Sequence, residues 1–103
     1  MEVRISEKVY IYLTEFYAIS MALHPTLDEN VVQNKKNRLI DALLKLGRYA
    51  DALPYADVKK DWVKRRYRDY YVEGFHFAYK VERLSDLKCV VVVYDVCHEL
   101  LYY

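Results

Sequence analysis

The sequence predicts an α+β fold: an N-terminal strand and a helical hairpin packed on one face of an antiparallel sheet of about four strands, in the order β-α-α-β-β-β. Two observations predict it. Apolar residues recur every three or four positions through the first half of the chain and every second position through the second half. The break between the two helical stretches, at His24 and Pro25, is also too short to let them do anything but fold back on each other.

The opening strand is read from Glu2 to Ser6, where Val3 and Ile5 alternate with Glu2 and Arg4. Ser6 offers an N-cap for a first helix, Glu7 to Leu23, on which Val9, Leu13, Phe16, Ser20 and Leu23 form one face. Thr26 and Glu29 have capping-box spacing for a second helix. Val32, Leu39, Leu43 and Leu46 continue its apolar face until Gly47 caps the C-terminus. A loop containing Pro54 is expected from Arg48 to Lys60. Strands are then expected over Trp62–Val72 and Phe75–Glu82, joined by a hairpin at Glu73 and Gly74, with a third and central strand over Leu87–Cys97.

With 103 residues the chain forms one domain, 1–103, large enough for a single two-layer core. Only two glycines and two prolines leave no room for low-complexity linkers. The longest apolar run, Cys89 to Tyr94, falls far short of the roughly 20 residues of a membrane helix, and no charged-then-apolar leader opens the chain. A cytoplasmic address and no membrane partner are therefore expected. Cys89 and Cys97 lack CxxC or metal-ligand spacing and read as reduced core thiols. Phosphate-binding glycine loops, GxSxG, HExxH and calcium loops are absent from the sequence, so no cofactor and no metal are expected.

Function is concentrated between Lys59 and Tyr79. Six of the ten residues from Lys59 to Arg68 are Lys or Arg, although the formal net charge of the chain is only +1. Clustered cations interleaved with tyrosines suit a nucleic-acid backbone with bases to stack on, or an acidic protein segment. The expected RNA-binding set is Lys59, Lys60, Lys64, Arg66, Tyr67, Tyr71 and Lys80. Pairing Val72 with Phe75 sorts the hairpin into two faces. One, with Tyr70, Val72, Phe75, Phe77, Tyr79 and Val81, should meet the helices. The other carries Arg65, Tyr67, Asp69, Tyr71, His76, Ala78, Lys80 and Glu82 and should be open. Arg66 and Arg68 share parity with the apolar face and are expected to snorkel past its rim or to lie where the sheet outruns the helices. Lys35, Lys36 and Arg38 read as the wet face of the second helix.

The VRIS opening strand, the helical hairpin, the run YRDYYVEGFHFAYKV and the closing VVVVYDVCH strand together resemble the RelE/ParE superfamily of small bacterial toxins. In that family the third strand typically reads G-[YF]-R-[IL]-x-Y-x-V; here it reads Gly74, Phe75, His76, Phe77, Ala78, Tyr79, Lys80, Val81. The resemblance implies a toxin of a type II toxin-antitoxin system, held inactive by a cognate antitoxin protein. It also implies action either on the ribosome and mRNA, as an endoribonuclease that inhibits translation, or on DNA gyrase as a poison; the remaining alternative is a catalytically degenerate member that only binds an antitoxin.

For the ribonuclease branch the resemblance implies a base for the ribose 2′-hydroxyl, cations for the phosphate and an acid for the leaving oxygen. His76 replaces the usual arginine of the third strand, and His98 closes the last strand with no arginine after it. The expected catalytic set is therefore His76 and His98 as an acid–base pair, Arg65 or Arg68 on the phosphate, and Tyr102 or Tyr103 near the leaving group. Val96, Cys97 and His98 are similar to the closing V-[LI]-H of the gyrase-directed branch.

Overall fold

The computed structural model describes residues 1–103. It is α+β, with β1 (Glu2–Ile5), α1 (Glu7–Leu23), α2 (Glu29–Leu44), α3 (Lys60–Lys64), β2 (Arg68–Val72), β3 (Phe75–Ser85) and β4 (Lys88–His98). The four strands form one sheet in the order β1-β4-β3-β2. β3 is antiparallel to both of its neighbours, β2 and β4, whereas β1 joins parallel to β4, with Val3 beside Val91 and Ile5 beside Val93. β1 and β4 are separated by most of the chain, so no tight turn imposes an antiparallel sense on them.

Both long helices lie on one face of the sheet. Val9 and Leu13 of α1 and Leu39 and Leu43 of α2 bury against Phe75, Phe77, Tyr79, Val91, Val93 and Val96, with Leu46 and Ala50 closing the end of this core. The Lys36 ammonium donates to Thr14 Oγ1 across the helix pair (2.8 Å). No helix is long and apolar enough to cross a membrane.

Ser6 stands at the N-cap of α1 as expected, though not through a side-chain cap bond, whereas α2 uses other caps than those expected. Ser6 occupies the N-cap of α1, but its hydroxyl donates to the Tyr94 carbonyl in β4 (3.3 Å). α2 is capped by Asp28, whose carboxylate accepts from the Asn30 N–H (2.7 Å), and not by a Thr26–Glu29 box. It ends at Leu44, so Gly47 is not its cap. Gly47 instead sits in a 3₁₀ turn against β1, where a Cβ would lie 2.1 Å from the Met1 carbonyl oxygen. A 3₁₀ turn over Leu46–Arg48 replaces the expected end of the second helix, and another over Ala50–Ala52 lies within the expected loop.

The β2–β3 hairpin has the expected register, Val72 opposite Phe75 through Arg68 opposite Tyr79. Its turn places Glu73 at φ 46° and Gly74 at φ 85°, the positive pair that a two-residue hairpin needs to match strand twist. The segment before it departs from expectation. Trp62–Val72 is not one strand: Lys60–Lys64 is a short helix, and β2 begins only at Arg68. Arg66 takes φ 57°, and the Arg66 and Tyr67 amides donate to the Val63 and Trp62 carbonyls (3.1 and 3.0 Å). This is a left-handed helix-terminating turn with arginine where glycine is usual. It turns the chain back over the sheet face opposite the long helices. Cys97 is buried as expected, whereas Cys89 is exposed near the β3–β4 turn and is not a core thiol.

Gly47→Ala should destabilise the chain by roughly 1–3 kcal/mol through the forced displacement of the Met1 backbone, read as a lower urea midpoint at unchanged slope.

Candidate functional site

The sheet face expected to be open is divided by a second, smaller core. Trp62 on α3 is fully buried over Ala78, with Ala56, Tyr67 and Cys97 around it and Tyr94 and Tyr102 at its margin. Its indole N–H donates to Asp95 Oδ2 (2.9 Å), so a large apolar ring is buried without an unsatisfied polar atom. The residues expected to form one strip are thereby sorted to two sides of Trp62.

On one side lies a compact polar cluster. His76 Nδ1–H donates to the Asp69 carboxylate (3.0 Å to Oδ1, 3.1 Å to Oδ2), and the two side chains are only 16% and 15% exposed. Tyr102, brought back by a 3₁₀ turn over Glu99–Leu101, stacks on the His76 imidazole with centroids 3.7 Å apart and planes at 12°. Its hydroxyl donates to Asp69 Oδ2 (2.7 Å). Tyr71 covers another side of the imidazole at 4.7 Å, and its hydroxyl donates to Glu99. Asp69 therefore fixes the imidazole tautomer and orientation, leaving Nε2 as the acceptor for an outside group. Lys59 reaches this end, its ammonium 5.8 Å from the Trp62 ring centre.

On the other side lie most of the cations. Arg66, Lys80, Tyr67 and Glu82 line a hollow of ≈ 440 Å³ that also takes in Lys64 and Arg65. Lys80 lies 5.9 Å over the Tyr67 ring, and Tyr67 stacks on Tyr94 at 5.3 Å. Arg65 is exposed and paired with Asp61 (3.0 Å), and Lys60 and Lys64 are exposed on α3. Arg68 sits at the start of β2, donating to the Leu53 carbonyl and to the Tyr55 hydroxyl (3.2 Å) and stacking over the Tyr55 ring at 4.2 Å. The expectation that Arg66 and Arg68 snorkel along a continuous strand is corrected for Arg66, which lies in the turn outside β2.

Three expected roles conflict with this geometry. His98 pairs with Phe75 and stacks on Phe16 at 4.9 Å, on the helix-covered face, so it lies across the sheet from His76 and cannot act with it as an acid–base pair. The cause is a bulge in β4: Ala78 pairs with Asp95 but Tyr79 with Val93, which shifts the parity of every later residue by one. Arg65 lies beyond Trp62 from His76, and Arg68, opposite Tyr79, reaches Leu53 at the rim of the helix-covered face, so neither converges with His76 on one phosphate. The Tyr102 hydroxyl is committed to Asp69, which makes it a positioning group rather than an acid for a leaving oxygen. Tyr103 is 83% exposed and lies in the tail.

Asp69, Trp62 and Glu99 are the residues that sequence reasoning left without a role. Asp69 was within reach, since the hairpin register puts it opposite Ala78 and therefore diagonal to His76 on one face. Trp62 and Glu99 had no comparable signal, because each depends on how a separate segment folds back.

No protein-family profile, curated protein or solved structure matches the chain.

Several tyrosines here resist ionisation. Burial pushes Tyr79 up to about 12, the bond to Glu82 and then burial push Tyr94 up to about 12, and burial followed by the Asp69 bond raises Tyr102. An unfolded tyrosine ionises near 10. Stability should therefore hold below pH 10 and fall as pH rises from about 10 to 12, because only the unfolded chain ionises there. Absorbance of tyrosinate against pH, with circular dichroism in parallel, should show delayed ionisation, and Tyr94→Phe should make the alkaline loss of stability shallower.

Proposed function

We propose that the protein is the toxin of a type II toxin-antitoxin system of the RelE/ParE kind, acting in the cytoplasm as a ribosome-dependent mRNA endoribonuclease that inhibits translation and arrests growth. The observation that carries this reading is the Asp69–His76 pair under Tyr102, a histidine held in one tautomer with Nε2 left for a substrate. His76 Nε2 takes the proton of a ribose 2′-hydroxyl while the freed oxygen attacks the adjacent phosphorus and the 5′-oxygen departs. Asp69 stabilises the resulting imidazolium, and Tyr102 and Tyr71 hold its ring. The proton for the departing oxygen comes from outside the chain, consistent with a requirement for the ribosome. No metal or cofactor is needed for this transfer. A cognate antitoxin is the partner that restrains the toxin.

One observation favours a second reading, a ParE-like poison that binds DNA gyrase. Trp62 keeps most of the basic cluster away from His76, and the tail beyond β4 exposes Leu100, Leu101 and Tyr103 at 70%, 63% and 83%, a surface suited to protein contact.

Induced expression with transcript-end mapping tests the first reading. His76→Ala should lower cleavage by about 10²–10⁴-fold, with a smaller loss in Asp69→Asn, and both should restore growth. Intact transcripts with inhibited supercoiling of purified gyrase would replace it with the second reading, and undisturbed growth would reject both.

A further inference from the structure

β3 runs to Ser85, yet β2 pairs with it only from Phe75 to Tyr79. From Lys80 onward the β2 side of β3 carries no strand. The chain that would have continued there turns away at Arg66 and crosses the second face as α3. A strand edge left this way offers the N–H and C=O groups of alternate residues, over about 20 Å for six residues.

The vacated place is a notch of ≈ 360 Å³ with Asp51, Tyr55, Arg66 and Arg68 on one wall and Lys80, Val81 and Glu82 along β3, so that three cations outnumber two carboxylates in its lining. No carboxylate of the chain pairs with Arg66 or Lys80, whereas Glu82 already accepts from the Tyr94 hydroxyl (2.7 Å). A neighbouring hollow that shares Arg66, Lys80 and Glu82 adds Lys64 and Arg65. Arg66 holds φ 57°, a left-handed conformation that disfavours arginine relative to the glycine usual at such a turn. The strained residue is thus also one of the cations of the notch without a carboxylate partner, a coincidence that points to use.

We propose that the Lys80–Ser85 edge of β3 accepts an extended acidic segment of a partner protein as an added strand. Its backbone pairs with β3, and its carboxylates meet Arg66, Arg68 and Lys80. Nucleic acid fits the charge but not the unpaired backbone edge, which only another polypeptide strand complements. A second copy of this chain fits the edge but not the charge, since it brings its own Lys80 and Arg83. The inference is independent of RNA cleavage, because the notch and His76 lie on opposite sides of Trp62.

The test uses the full chain and a short fluorescent peptide of alternating valine and glutamate, followed by anisotropy and by amide hydrogen exchange. The expected result is salt-sensitive binding with new protection at alternate amides within Lys80–Ser85. Binding should weaken by about tenfold or more when alternate peptide amides are methylated, and also in Arg66→Gly, whose unfolding midpoint should rise. Equal binding of the methylated peptide, or of a valine–lysine peptide, would overturn the proposal. So would protection confined to other segments, displacement of the peptide by an oligouridylate that itself protects no β3 amide, or protection without peptide that grows with protein concentration.

Discussion

Trp62 is the residue on which the second face of the sheet depends. A five-residue helix has little stability of its own, and α3 is held by this one ring seated on Ala78 and by its N–H bond to Asp95. Ala78 is the small residue that makes room for the ring, and the β4 bulge presents Asp95 to it. Once Trp62 is seated, Tyr67 and Tyr102 pack at its edges, and Tyr102 in turn closes over His76. The acid–base cluster and the cationic notch are thus both consequences of one buried side chain.

The two faces of the sheet are built by different means. The helix face follows from long-range repetition, with α1 and α2 laying apolar stripes on β3 and β4. The opposite face is built from single residues: one tryptophan, two stacked tyrosines, a strained arginine and a returning tail. Small displacements there separate chemical groups completely, since a shift of one position moves a strand residue through the sheet. His76 and His98 illustrate this, with similar spacing to their strand ends but opposite faces.

The element order and the hairpin register were legible because they rest on periodicity and on Glu73–Gly74, which are local. Tyr70, Val72, Phe75, Phe77 and Tyr79 meet the helices as their parity requires. The candidate site was legible only as a list. His76, Tyr71 and Tyr102 do come together, but Arg65, Arg66 and Lys80 fall on the far side of Trp62, and Arg68 and His98 fall on the far face. The run from Trp62 to Arg66 leads directly into the alternating residues of β2, and nothing in its composition announces a helix ending in a left-handed arginine.

What the sequence by itself determined is therefore the α+β class, the helical pair, the β2–β3 pairing and the identity of the helix-covered face, because hydrophobic period and turn chemistry act within a few residues. What only the tertiary structure decided is which polar groups converge. That depends on the turn at Arg66, the bulge at Tyr94–Asp95 and the return of Tyr102, each stabilised by burial against residues distant in the chain. A pattern in sequence constrains the face a side chain occupies, but convergence at a site is set by where separate segments find room to pack.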